Sequence, residues 1–227
     1  MPYVHTDLEY ERELTTLRAR LLIMCSRVEA MVATSMRAFA EQDLALAHDT
    51  INSDNAVDQL EMELDERCLR LLARRQPMAN DLRFITTGLR LVSDLERIGD
   101  LAVNICERVV ELGREPSLPL DASLDQVADA ALEMLRDAFK ALETADVLKA
   151  GQVLGRDELV DVLYSQLSDK IVRFVMDNPQ EVFRATRLQS IGKYLERIAD
   201  HATNIAEMVV FIVRGEDVRH ADHESVH

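Results

Sequence analysis

Leu95-Glu-Arg-Ile-Gly-Asp-Leu-Ala-Val-Asn-Ile-Cys-Glu107 returns one hundred residues later as Leu195-Glu-Arg-Ile-Ala-Asp-His-Ala-Thr-Asn-Ile-Ala-Glu207, identical at nine of thirteen positions. A match of that density within one chain is the mark of an internal repeat. It extends upstream: Asp54-x-x-x-Asp58 corresponds to Asp157-x-x-x-Asp161, and Pro77 to Pro179. Around these anchors the apolar residues step by three and four. Leu14, Leu17, Leu21, Met24, Val28 and Met31 do so in one stretch, and Leu82 through Leu112 in another, which is the spacing of one buried helix face. The spacing predicts helices over about 8–47, 51–72 and 82–112 in the first repeat. In the second it predicts them from Leu124, over 159–176 and up to about Val213, with Gly113 and Gly215 closing the halves.

The fold class that follows is all-α: six long helices forming two tandem, similar three-helix bundles. The expected boundaries are a first repeat over 1–115, a linker over 116–123 carrying Pro116 and Pro119, a second repeat over 124–215, and a polar tail over 216–227. Composition agrees, since seven Gly and five Pro among 227 residues are too few to turn the many corners of a sandwich or barrel.

Charge narrows the function. With 26 Lys and Arg against 41 Asp and Glu the chain carries a formal −15, which repels phosphate backbones and anionic lipid and favours basic partners or cations. Apolar runs such as 208–213 fall far short of the roughly 20 residues that span a bilayer. Asp7, Glu9, Glu11 and Glu13 do not read as a signal peptide. Cys25, Cys68 and Cys106 are odd in number and sit within helical patterns, as reduced core thiols do. The expectation is a cytoplasmic protein with no nucleic-acid partner and no direct membrane insertion.

Four acid pairs carry the chemistry: Asp54 with Asp58, Glu96 with Asp100, Asp157 with Asp161, and Glu196 with Asp200. Residues four apart share a helix face with about 5–6 Å between Cβ atoms, so each pair presents two carboxylates to one point. Antiparallel pairing of the second and third helices of a repeat would gather four carboxylates, a donor set for hard, oxygen-preferring cations. Glu61 and Asp65 continue the first stripe, and Asn104 and Asn204 stand one turn beyond Asp100 and Asp200 as candidate secondary ligands. The bland alternative is four solvated acidic faces copied by duplication.

Other motifs carry less. His223-Glu224-Ser225-Val226-His227 spells the zincin H-E-x-x-H, but in a terminal polar tail without helical periodicity. Glu-x-x-His spacing for a di-iron bundle occurs only there. His201 points away from the acid face and reads as a packing or interface residue, and Arg70, Arg74, Arg75, Arg83 and Arg90 form the one basic concentration. No Gly-rich phosphate loop, nucleotide fingerprint or Ser/His/Asp arrangement is present, so no catalytic machinery is expected.

The stretches 68–83 (CLRLLARRQPMANDLR), 95–100 (LERIGD) and 194–205 (YLERIADHATNI) together closely resemble the PhoU family of phosphate-uptake regulators, and the likeness runs from about Leu8 to Gly215. The resemblance implies a cytoplasmic negative regulator of the phosphate-starvation response rather than an enzyme. It implies an adaptor between a phosphate ABC transporter (its PstB-like ATPase) and a PhoR-like sensor histidine kinase, acting as a homodimer and peripheral to the membrane only through those partners. It also implies metal binding, in multinuclear clusters of iron, manganese, magnesium or zinc, at the positions matching the family's (Glu/Asp)-x-x-x-Asp motifs: Asp54, Asp58, Glu96, Asp100, Asp157, Asp161, Glu196 and Asp200. The second repeat departs from the family pattern, because Pro179-Gln-Glu-Val-Phe-Arg184 lacks the Pro-x-x-x-Asp-Leu-Arg of 77–83 and confines any role of Asp81 and Arg83 to one bundle. The competing readings are a passive helical scaffold and a two-metal hydrolase.

Overall fold

The structure, a computed structural model, describes residues 8–218, and its only regular secondary structure within them is helical. The first repeat contains α1 (Leu8–Glu41), α2 (Leu44–Ser53), α3 (Asn55–Arg74) and α4 (Ala79–Leu112). The second contains α5 (Asp121–Thr144), α6 (Val147–Leu154), α7 (Asp157–Asp177) and α8 (Val182–Arg214), with a single 3-10 turn at Pro179–Glu181 before α8. The six long helices expected from the sequence are α1, α3, α4, α5, α7 and α8. The His223–His227 motif lies outside the described residues.

Two differences from the sequence reading share one physical cause. The first helix does not continue to Ala47: it stops at Glu41, Gln42 takes a left-handed φ of 52°, and Asp43 starts a new helix. Asp43 Oδ1 accepts from the Leu46 amide at 3.0 Å, satisfying one of the free donors of the α2 N-terminus. The second repeat repeats the device residue for residue. Ala145 has φ 53°, and Asp146 Oδ1 accepts from the Lys149 amide at 3.0 Å. The apolar stripe runs unbroken through both joints, so periodicity alone could not expose the break. α5 starts at Asp121, three residues ahead of the apolar pattern, with the Leu124 amide bonding the Leu120 carbonyl.

The helices assemble around α4 and α8. These two pack antiparallel, so that Glu111 near the end of α4 pairs with Arg187 near the start of α8, Asp94 meets His201, and Arg83 lies against Gly215. α1 and α5 complete an inner layer, joined to each other by Arg136 and Glu29, while α3 leans on α1 and α4, and α7 on α5 and α8. Beside a small satellite of Ala38, Ala47, Cys106 and Val109, one large core spans both repeats. Leu17, Leu21, Met24, Leu64, Ile85, Leu91, Leu95 and Ile98 from the first repeat, and Leu124, Leu135, Leu167, Ile191, Leu195 and Ile198 from the second, are almost wholly buried within it. The three cysteines are buried and free, as the sequence implied.

A reciprocal pair of arginines fastens the two repeats at their ends. Arg83, at the start of α4, lies over Gly215, where a Cβ would come within 2.9 Å of its guanidinium. Arg184, at the start of α8, donates to the Pro116 carbonyl just beyond α4. Pro179-Gln-Glu-Val-Phe-Arg184 is therefore Pro-x-x-x-Asp-Leu-Arg shortened by one residue. The basic end of the motif serves both repeats, but where Asp81 accepts from the Tyr10 hydroxyl at 3.2 Å, two residues before its arginine, the second repeat has Val182, and its acid, Glu181, instead pairs with Arg184 at 2.9 Å.

The caps at Asp43 and Asp146 are equivalent by construction. Asp43→Ala and Asp146→Ala should each cost about 1 kcal/mol, lowering the melting temperature by about 2–4 °C in a chain of this size; calorimetry of the two variants checks this.

Candidate metal centre

The joint between α2 and α3 positions the first pair. Asp54 sits in that joint with its carbonyl accepting from the amides of Val57 and Asp58, so its side chain projects from the very start of α3. Its Oδ1 rests on α4 at Gly99, 3.2 Å from where a Cβ would stand, and Val57 packs beside it at 3.5 Å. The glycine thus allows α3 to approach α4 closely enough for Asp54 and Asp58 to face Glu96 and Asp100. Glu61 belongs to the same group, as the stripe suggested. Burial raises its pKa above the ordinary carboxylate value, and Asp65, Asp58 and Asp100 raise it further.

In the second repeat Asp161, Glu196 and Asp200 each turn a carboxylate oxygen inward, all within 4.8 Å of one another. Asp157 adjoins them and accepts from the Thr203 hydroxyl at 2.9 Å. Among the described residues only this second-repeat trio converges to that distance; in the first repeat Asp54, Asp58, Glu61, Glu96 and Asp100 are electrostatic neighbours whose oxygens do not gather as closely. At 4.8 Å two unit charges repel by about 1 kcal/mol in water and about 3 kcal/mol at an effective dielectric near 20. Oxygen-only donor sets of this kind fit Mg²⁺, Mn²⁺, Ca²⁺ or iron better than the soft metals that thiolates select.

The electrostatic consequence is visible in the titration of the clusters. Burial, then the neighbouring Asp58 and Asp100, push the Asp54 carboxyl up to about 6. Burial, then Glu196, Asp157 and Asp161, push Asp200 up to about 6 as well. Glu96 and Asp161 are raised for the same reasons, burial first.

Each cluster also carries one cation of its own. Arg97 bridges Glu96 at 3.5 Å and Asp100 at 3.4 Å. Lys193 pairs with Glu196 at 2.5 Å, and its pKa is raised by that contact. The spacing of acids missed Lys193 and Thr203, which stand where the first repeat has Ser93 and Val103. Their signal was their own helical spacing from Glu196 and Asp200. The secondary-ligand reading of Asn204 is overturned: its amide donates to Asp94 Oδ1 at 3.3 Å, across the α4–α8 contact and away from the acids. His201 takes the interface place read for it, with Nδ1 2.6 Å from the same Asp94 oxygen.

The repeat coincides with a known family. The family model described as "PhoU domain" matches twice, over residues 21–109 and 124–209. The chain belongs to the PhoU family. It is 36% identical over 216 residues to a phosphate-specific transport system accessory protein PhoU homolog of Rhizobium meliloti, covering 95% of this chain and 91% of that one. It is 37% identical over 217 residues to the corresponding homolog of Pseudomonas putida, covering 95% and 85%. The crystal structure of PhoU from Pseudomonas aeruginosa superposes with a TM-score of 0.89 at 35% identity, covering 91% of this chain and all of that one. The PhoU family is one of regulatory accessory proteins, not enzymes. No helix among the described residues is long and apolar enough to cross a membrane.

The raised carboxyl pKa values fix a sign. A carboxyl near 6 when folded, and near 3.8 when unfolded, binds its proton more readily in the folded state, so the metal-free protein gains stability as pH falls from about 7 toward 4. Asp54→Asn with Asp200→Asn should raise stability at pH 7.5 and flatten its rise on acidification. Urea midpoints across pH 4.5–7.5 in chelator check both.

Proposed function

We propose that the protein is a cytoplasmic negative regulator of phosphate uptake and of the phosphate-starvation response. In this role it is an adaptor between a phosphate transporter's ATPase and a sensor histidine kinase, with metal ions held at both carboxylate clusters. The observation that carries the proposal is end-to-end similarity, over 95% of the chain, to proteins named as accessory to phosphate-specific transport. A solved relative from Streptococcus pneumoniae, 31% identical with a TM-score of 0.84, is titled a phosphate transport system regulatory protein.

The physical features support an adaptor. A surface at −15 draws basic patches on partners and speeds encounter with them. Long rigid helices offer extended faces for docking without any moving part. Metal at the clusters would neutralise the mutual repulsion of Asp54, Asp58, Glu96 and Asp100, and of their counterparts, and stiffen the α3–α4 and α7–α8 contacts. Association as a homodimer would double the docking faces.

The test pairs metal content with partner affinity. Asp100→Asn plus Asp200→Asn, loaded beside the wild type, should retain far less metal and bind the kinase and the ATPase more weakly. Equal metal and equal affinity in both proteins would leave a passive scaffold decorated with acids.

A further inference from the structure

A helix on the outside of a bundle normally turns polar side chains to solvent, and α7 does not. Its buried residues are Val160, Leu167 and Ile171, on the side that packs against α5 and α8. On the opposite side Leu159, Val162, Val172 and Met176 are 52%, 46%, 59% and 76% exposed. At 3.6 residues per turn these four fall within an arc of about 140° and along about 25 Å of helix. They make one apolar face that no element of the chain covers.

The matching helix of the first repeat shows that the fold itself does not require this face. α3 and α7 align residue for residue through Asp54 with Asp157, Asp58 with Asp161 and Leu64 with Leu167. At the positions of Leu159, Val162 and Met176, α3 carries Ala56, Gln59 and Ala73, and only Val172 keeps a large apolar counterpart in Leu69. α3 leans on α1 and α4 as α7 leans on α5 and α8. The outward apolar residues of α7 therefore serve a contact beyond the packing of the single chain.

We propose that the outer face of α7 is the surface on which two copies of this chain associate, their α7 helices antiparallel about a two-fold axis at mid-helix. The inference rests on the homodimer of the proposed function and gives it a surface. A two-fold interface must be self-complementary, and this face is. Turned end for end about a point between Leu167 and Ser168, it sets Leu159 against Met176 of the second copy and Val162 beside Val172 of the second copy. Gln166 then meets Asp169 of the second copy, amide donor to carboxylate acceptor. Charge follows the same symmetry. Glu158 and Arg173 border the apolar residues, both exposed and neither in an ion pair with another described residue. Antiparallel pairing brings Glu158 of each copy within a turn of Arg173 of the other, so one axis yields two ion pairs between the copies.

Sedimentation velocity of the full chain across the micromolar range tests the surface, and a reversible dimer is expected. Leu159→Glu with Met176→Glu should weaken dimerisation at least about a hundredfold, since each copy loses two apolar anchors, while circular dichroism stays helical. Arg173→Glu should weaken it about tenfold, and adding Glu158→Arg should restore it by rebuilding both ion pairs with their signs exchanged. Met62→Glu with Leu69→Glu, on the exposed side of α3, should change nothing. Leu159→Cys protein mixed with Met176→Cys protein should join through a disulfide under oxidised glutathione, and neither alone should do so, the three native thiols being buried. A chain that stays monomeric throughout the range, a dimer indifferent to Leu159→Glu with Met176→Glu, or a charge exchange that fails to restore association would each overturn the proposal. Kinase and ATPase affinities of the same variants keep the two readings apart. A monomer that still binds both partners overturns the dimer surface and leaves the regulator standing, and a dimer of this kind that binds neither does the reverse.

Discussion

The antiparallel contact of α4 with α8 is the constraint from which the rest of the molecule follows. It sets equivalent residues of the two repeats across a common axis, so that the Arg83–Gly215 and Arg184–Pro116 fastenings fall at opposite ends and Asp94 bridges the middle through His201 and Asn204. With α4 and α8 fixed, α1 and α5 close the inner layer, and α3 and α7 are left to pack on the outside. The start of α3 then lies against Gly99, next to Asp100, and the start of α7 meets α8 where Asp157 accepts from the Thr203 hydroxyl, one turn beyond Asp200. Burial of residues such as Leu95, Ile98, Leu195 and Ile198 supplies the free energy, at about 1.5–3 kcal/mol per large side chain. That is enough to hold like charges close when no single pair of them is favourable.

Much of this was legible in the sequence because it depends on periodicity and duplication. The stripe from Leu82 to Leu112 and its copy ending near Val213 describe α4 and α8 to within a few residues. The acid pairs could be assigned to one face from their spacing of four alone. The α1–α2 break escaped because it is written in one left-handed residue and one capping carboxylate, inside a stretch whose apolar stripe never falters. The roles of Asn204, Thr203 and Lys193 escaped for a different reason. Helical spacing says which residues share a face, but not which neighbouring helix that face meets, and Asn204 faces α4 rather than α3 or α7.

Duplication also shows where the halves have diverged. Glu61 enlarges the first cluster where the second has Tyr164, whose ring lies 5.6 Å from the Lys193 ammonium. Thr203 holds Asp157 where the first repeat has only Val103. The first cluster therefore carries more negative charge, with a guanidinium at its rim. The second is smaller and has an ammonium paired into it. The two clusters are thus unlike electrostatically, the first being the more charged and the second the more tightly held by its own hydrogen bonds.

The central claim is that packing gathers carboxylates from neighbouring helices to hold a cation in each repeat. Anomalous diffraction at the manganese edge, from crystals of the protein grown with Mn²⁺, tests it most directly. The account predicts one strong peak or cluster of peaks between α3 and α4, within bonding distance of Asp54, Asp58, Glu96 and Asp100. It predicts a second between α7 and α8, against Asp161, Glu196 and Asp200. Peaks confined to other surface carboxylates, or none at all, would contradict it.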